Sequence, residues 1–481
     1  MVIRSIIVVH RYVGVILGVI MTLWCLSGFV MMYQGFPETS QEERLAGLTP
    51  LDLSNCCSPI TAIPDDTTAR SFRVEMLNGT PVLRMIGADG PKTYELATGA
   101  ELLGLSEPAV KQVAETYAAG NGVQGSITEL GTLTVDQWSV QGAKRWQPLW
   151  RAVFDDPADT WIYVNGKTGE VVQDVTAHQR FWNWLGAIPH WLYPTILREN
   201  GPLWSQVVIW LSAIGCFLVI TGMIIGFAKL RGKSGKWWPY KRPMWLIHHI
   251  FGTFAGILVL TWTFSGLMTM SPWGLLESEG PVSREDLGGA MTWQDMRASI
   301  EAVKIEETAN LLAIRSAPQL GKPIVFAQQS DGGEVRFNPH GRARFDQAQL
   351  EASLKDKGGL LASGKLDVLS VEDDYYYGHK REVDLPVYRL SLSDPEQTRV
   401  YFDETTGELA QLADGTTQRY RWFESGLHSL DFSFMRARPV WDIVTLLLLA
   451  AVTIGCATGA WLSFTRIGTD FSRLKEFFSR K

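Results

Sequence analysis

The sequence predicts a membrane-spanning four-helix bundle with two α+β domains outside the membrane, the whole plan written twice along the chain. Three observations predict this. Four apolar blocks reach bilayer length, two long polar segments lie between them, and one fixed shift lays the second half of the chain on the first. The chain has 481 residues, 46% of them hydrophobic, with 19 Trp. Its net charge is −6, so no global basic field argues for a nucleic-acid partner.

Each apolar block meets the ~20 residues that a helix needs to cross a bilayer at ~1.5 Å per residue. The blocks are about Ile6–Tyr33, Val207–Phe227, Trp245–Met270 and Val440–Phe464. The first is too long for the apolar core of a signal peptide, and no small-residue cleavage pattern follows it, so it reads as a retained helix. The order expected is helix one in 1–34, an α+β domain in 35–201, helix two in 202–228 and a basic loop in 229–244. Helix three in 245–271, a second α+β domain in 272–438, helix four in 439–465 and a tail in 466–481 complete it.

Loop charge sets the orientation. Lys229, Arg231, Lys233, Lys236, Lys241 and Arg242 crowd the loop between helices two and three, and Arg466, Arg473, Lys475, Arg480 and Lys481 fill the tail. With Arg4 and Arg11 at the start, all three segments read as cytoplasmic. The two long polar segments then lie outside, which in a bacterial inner membrane is the periplasm.

The duplication is legible residue by residue. A shift of 238 carries His10 onto His248, Gly14 onto Gly252, Gly18 onto Gly256, Trp24 onto Trp262 and Ser27 onto Ser265. It also carries Arg151 onto Arg389, Asp156–Pro157 onto Asp394–Pro395, Tyr163 onto Tyr401, Thr168–Gly169–Glu170 onto Thr406–Gly407–Glu408, and His190 onto His428. After a one-residue deletion, Trp204 meets Trp441 and Thr221–Gly222 meets Thr458–Gly459. Both copies have the same orientation, so a pseudo-two-fold axis along the membrane normal is expected.

Within the polar segments, "SFRVEMLNGTPVLRMIG" alternates about Asn78–Gly79, a strong hairpin signal. "TWIYVNGKTGEVV" and "RVYFDETTGELA" read as strand, turn, strand. "EPAVKQVAETYAA" and "TWQDMRASIEAVK" have helical periodicity. Antiparallel sheets with a helix on one face follow.

Of the eight histidines, four form duplicated pairs: His10 with His248, and His190 with His428. An ionisable residue in a membrane segment is a functional candidate, and neutral imidazole is a common axial ligand of haem iron. The bland alternative is a neutral histidine that bonds a helix carbonyl. Gly14 and Gly18, and likewise Gly252 and Gly256, lie one and two turns from their histidine on its face. They leave room for a flat porphyrin, or else form a small-residue helix seam. Two histidines of one copy lie near opposite membrane faces, ~30 Å apart, and cannot share one iron. Partners must therefore come from opposite copies: His10 with His248 at the inner level, and His190 with His428 at the outer. These four are the expected haem-iron ligands, with two haem b groups per chain. His249 stands ~100° round the helix from His248 and is either a neighbouring group or the true ligand.

Other features carry less. Trp and Tyr near His190 and His428 read as an interfacial belt. "GFAKLRGKS" has the wrong glycine spacing for a phosphate loop, and no dinucleotide fingerprint follows a strand. "DDYYYGHK" (373–380) reads as a solvated tyrosine-rich strand edge. Cys25, Cys216 and Cys456 fall in helices, and the adjacent Cys56 and Cys57 form no disulfide framework.

The H-R-x-x-G-x-x-x-G start of helix one, the D-P-x-x-T-x-x-Y-x-[N/D]-x-x-T-G-E strand and turn, and the later L-H before the next helix resemble the PepSY-associated transmembrane family over nearly the whole chain. That family is similar to inner-membrane ferric-siderophore reductases, haem b proteins with two intertwined periplasmic domains. The resemblance implies PepSY-like outer domains and reduction of a ferric siderophore or other ferric chelate on the outer side, releasing Fe(II). Some members carry a fused cytoplasmic flavin reductase module, which this sequence does not show after its last helix. The expected donor is a quinol or a separate cytoplasmic reductase. The rival reading is a non-enzymatic membrane anchor whose outer domains bind or inhibit a peptidase or transporter. A transporter of iron complexes is the third, disfavoured by too few helices and by the lack of broken ones.

Overall fold

The structure, a computed structural model, describes residues 2–54, 60, 63–231, 237, 240–306, 308, 310–379 and 382–479. Cys56, Cys57, the loop residues 232–236 with Lys233 and Lys236, Lys380, and the tail charges Arg480 and Lys481 lie outside the described residues. The chain divides into two compact units. One comprises Met1–Phe36, Phe181–Glu277 and Gln418–Lys481; the other comprises Pro37–Arg180 and Ser278–Thr417.

The first unit is helical. Among the described residues, Val2–Met31, Gly201–Ala228 and Val440–Thr469 are each long and apolar enough to cross a membrane. The bent pair Pro243–Phe254 and Gly256–Thr269 makes a fourth if it is taken as one. The first long helix packs on the last and on the second, the last packs on Pro243–Phe254, and the second packs on Gly256–Thr269. Leu17, Met21, Leu218, Val259, Trp441, Leu449 and Val452 fill the space between them. Unlike a water-soluble bundle, these helices are apolar on the outside as well. Ile16, Leu23, Ile220, Leu447 and Trp461 are exposed, while Ser27, Ser212, Thr221 and Ser265 are buried. A helix surrounded by hydrocarbon keeps its polar groups inward.

Two expectations about the helices need correction. The third helix is not continuous over 245–271: it breaks at Ala255 with a bend of 57°. Glycine weakens a helix on either side of the break, at Gly252 and Gly256. A Cβ on Gly256 would stand 3.1 Å from Met223 Cγ, so the helix Gly201–Ala228 packs closely against this position. The argument against a transporter from unbroken helices falls with this. The last helix also continues past residue 465, to Ser479, where a tail was expected.

The second unit is α+β and joins the two copies. Its largest sheet has seven strands in the order 341–342, 334–338, 325–329, 311–316, 71–77, 80–87, 90–95. The hairpin expected at Asn78–Gly79 forms, with both residues at positive φ (50° and 83°). Strands Ser71–Leu77 and Leu311–Ser316 meet antiparallel across the seam between the copies, with Arg73 opposite Arg315, Val74 opposite Ile314 and Glu75 opposite Ala313. Each copy adds a four-stranded meander: 127–133, 149–154, 161–165 and 171–175 in the first, and 365–369, 387–391, 399–403 and 409–413 in the second. The helix Glu107–Gly120 packs on the first meander, and Trp293–Ile305, capped by Thr292, packs on the seven-stranded sheet.

The duplicated motifs resolve into turn chemistry. Asp156 accepts from Thr160 N (2.7 Å) and Thr160 Oγ1 (2.9 Å), and Asp394 does the same for Thr398 (2.8 and 3.0 Å). Asn165 and Asp403 close the next turn on the amides of Thr168 and Thr406. Gly169 and Gly407 then take φ of 72° and 73°, which glycine alone adopts without strain. The glutamate of each T-G-E reaches the seam: Glu170 pairs with Arg73, and Glu408 with Arg315. Two arginines face each other there, and each glutamate neutralises one of them.

The tyrosine-rich stretch is not a solvated edge. Tyr376 is buried and stacks on Tyr401, their ring centres 5.1 Å apart. Asp373 accepts from Tyr401 Oη (2.8 Å), Arg389 (3.1 Å) and Arg399 (3.3 Å). Burial alone would raise the Asp373 carboxyl; the amides of Tyr376 and Tyr375, the Tyr401 hydroxyl and Arg389 outweigh it and hold it below the usual range.

Candidate haem-binding site

The four duplicated histidines meet in two pairs inside the helical unit. The rings of His10 and His248 have centres 6.4 Å apart, tilted 32°. Those of His190 and His428 are 6.0 Å apart, tilted 66°. Each pair joins one imidazole from either copy. Ser27, on the first helix, bonds the His190 ring and lies about 25 Å along that helix from His10 at ~1.5 Å per residue. The two pairs thus occupy different levels.

Each ring is held through Nδ1 by repeat-related groups. His10 Nδ1 lies 3.0 Å from Leu218 O and 3.2 Å from Thr221 Oγ1. His248 Nδ1 lies 3.0 Å from Gly455 O, the counterpart of Leu218 at the shift of 237. His190 Nδ1 lies 3.0 Å from Ser27 Oγ, and His428 Nδ1 lies 3.1 Å from Ser265 Oγ and 3.2 Å from Trp262 O. Both serine hydroxyls already donate, to Trp24 O and Trp262 O, so they accept from the rings. A ring nitrogen that faces an acceptor carries the proton. Nε2 of every ring is therefore left with its lone pair bare, which is the form that binds a metal.

Further groups position the rings. A Cβ on Gly222 would stand 2.7 Å from His10 Cε1, and one on Gly459 would stand 2.7 Å from His248 Cε1. These repeat-related glycines make the space in which the inner imidazoles lie. At the other level, Trp204 Nε1 donates to Trp191 O and Trp441 Nε1 donates to Ser429 O, both at 2.9 Å. Those carbonyls belong to the residues that follow His190 and His428, so each tryptophan fixes a ligand segment. Sequence reasoning left Gly222, Gly459 and these two tryptophans out of the site; their recurrence at one shift was the available signal.

A cavity of about 230 Å³ surrounds the inner pair. His10, His248, Gly14, Gly18, Gly252 and Gly256 all line it. The glycines serve a second purpose as well: a Cβ on Gly18 would stand 3.2 Å from Ala460 Cα, so the small-residue seam is realised there. His248 is the ring that faces His10. His249 packs with its ring centre 5.0 Å from that of Tyr240. His178, His340 and His379 belong to the α+β unit.

These residues fit a bis-imidazole haem. Two imidazoles that bind one iron from opposite faces, each through Nε2 at about 2 Å, have ring centres roughly 6 Å apart. Both observed separations match. Among the described residues no three His, Cys, Asp or Glu side chains gather to hold a bare metal ion. The chain matches no protein-family model and no curated protein.

Proposed function

We propose that this chain is a membrane oxidoreductase of the PepSY-associated transmembrane type: a four-helix bundle in a bacterial inner membrane that carries electrons outward to a ferric chelate, such as a ferric siderophore. His10 with His248, and His190 with His428, would hold two haem b groups. The observation that carries the reading is the two opposed imidazole pairs, spaced for one iron each and anchored through Nδ1 by repeat-related acceptors.

Haem iron at these positions would supply one-electron transfer, with its potential set by axial ligands, burial and hydrogen bonds to the ligands. The chain's own residues account for the rest. Leu218 O and Gly455 O fix the inner tautomer, and Ser27 and Ser265 fix the outer one. Apolar helices surround both pairs, with Leu17, Met21, Leu218 and Val259 packed between the helices. Two levels about 25 Å apart suit transfer between the two faces of a bilayer. One-electron reduction of Fe(III) weakens its hold on hard oxygen ligands and releases Fe(II). The basic loop and tail support a cytoplasmic inner level and a periplasmic α+β unit.

Rapid mixing of the dithionite-reduced protein, freed of excess dithionite, with a ferric trihydroxamate tests the activity. The expected result is reoxidation of the protein, with Fe(II) captured by a chromogenic chelator. A reduced protein that keeps its electrons in the presence of the ferric chelate contradicts the proposal.

A further inference from the structure

The inner cavity has a cationic rim that the histidine ligands do not explain. Arg11, Lys229 and Arg466 line it, and among the described residues no Asp or Glu does. The positions obey the duplication. Arg11 follows His10 as His249 follows His248, and Lys229 maps to Arg466 at the shift of 237. Each copy therefore presents a basic side chain one residue after its inner histidine and another on the cavity side of its second helix, at the C-cap for Lys229 and within the longer last helix for Arg466. His249, also on the cavity wall, stands where the first copy has Arg11. Among the described residues, neither Arg11 nor Lys229 finds a carboxylate partner, whereas Arg466 already makes an interaction of its own.

Cations at the cytoplasmic end of membrane helices are ordinary, and alone they say nothing about a ligand. These differ in lining the same cavity as His10 and His248, and in coming from both copies. An apolar slot with two bare imidazole nitrogens and a cationic rim is complementary to a flat, apolar, dianionic molecule. Haem b is such a molecule, with two propionate carboxylates on one edge. Arginine and lysine form charge-assisted hydrogen bonds to carboxylates, and these strengthen where water is scarce.

We propose that Arg11, Lys229 and Arg466 bind the propionates of the inner haem, so that this porphyrin sits with its carboxylate edge toward the basic end of the helices. The proposal rests on the haem reading above. It assigns these side chains to binding a carboxylate, rather than to orienting the chain in the membrane alone.

The test compares wild type, the neutral variant Arg11→Gln/Lys229→Gln/Arg466→Gln, and the charge-keeping variant Arg11→Lys/Lys229→Arg/Arg466→Lys, all full-length in detergent. Haem per chain is counted by pyridine haemochrome, and each midpoint potential is read by redox titration. Protein made under haem limitation is then titrated with haemin and with haemin dimethyl ester, whose propionates carry no charge.

Wild type is expected to hold two haems and to prefer haemin over the ester at one site by about tenfold or more. In the neutral variant that preference is expected to vanish, and the inner haem either to be lost or to show a lower potential. The charge-keeping variant should retain the preference, and the His190–His428 haem should persist in all three as an internal check on folding. A wild type with two haems and no preference for the diacid overturns the proposal and leaves the haem reading standing. So does a neutral variant with unchanged preference and potentials. A colourless wild type overturns both.

Discussion

Gly222 and Gly459 stand against the edges of the inner imidazoles because they have no side chain beyond hydrogen. A methyl group at either place needs about 0.7 Å more room than the ring leaves, and overpacking a rigid site costs about 1–3 kcal/mol. Gly222→Ala is therefore expected to push His10 off its position and to lower haem content from two per chain toward one, with Gly459→Ala acting equally through His248. Pyridine haemochrome assay checks this; unchanged content in both variants contradicts it. In the α+β unit, Asp174 accepts from Thr39 Oγ1 at 2.9 Å, and burial, with a smaller push from the Glu43 charge, raises its carboxyl to about 6. The folded chain then holds a proton there that the unfolded chain has released, so this group's contribution to stability falls as pH rises from about 4 to about 6. Asp174→Asn is expected to flatten that part of the melting-temperature profile. A variant whose profile tracks wild type across this window contradicts the assignment.

Among the elements, the seam between strands Ser71–Leu77 and Leu311–Ser316 carries a cluster of ion pairs. Arg84 is buried, pairs with Glu75, and donates to the carbonyl of Thr168 in the first T-G-E turn. Removing it leaves Glu75, only 2% exposed, with Arg44 as its remaining cation (3.1 Å). Arg84→Ala is expected to destabilise the α+β unit by about 3 kcal/mol, in line with the breaking of a buried pair. A change under about 1 kcal/mol in denaturant unfolding contradicts it. The hairpin at Asn78–Gly79 and the helices at 107–120 and 293–305 were legible from local pattern, because turn chemistry and amphipathic period act within a few residues. The bend at Ala255 was not. Gly252 and Gly256 flank it, but glycines four residues apart also occur in the first helix, at Gly14 and Gly18, which stays continuous, so the local pattern does not mark the break. The tyrosine-rich stretch misled for the same reason: its polarity suggested solvent, and Asp373 with Arg389, Arg399 and Tyr401 satisfies it internally.

For the molecule as a whole, the duplication made the candidate site readable. One imidazole in an apolar helix says little; two at one shift, with a second pair at the same shift, restrict the geometry until only cross-copy pairing remains. The structure brings His10 to His248 and His190 to His428 in that arrangement. The acceptors behind the rings stayed hidden because Leu218 O and Gly455 O are backbone groups, present at every residue and distinguished only by position. The central claim is that each pair grips one haem. Its most direct measurement is the haem content and reduced-minus-oxidised visible spectrum of the purified full-length protein beside its four single His→Ala variants. Wild type is expected to show two low-spin b-type haems per chain, His10→Ala and His248→Ala to lose the same haem, and His190→Ala and His428→Ala to lose the other. A folded but colourless wild type, or four variants that all keep both haems, contradicts it.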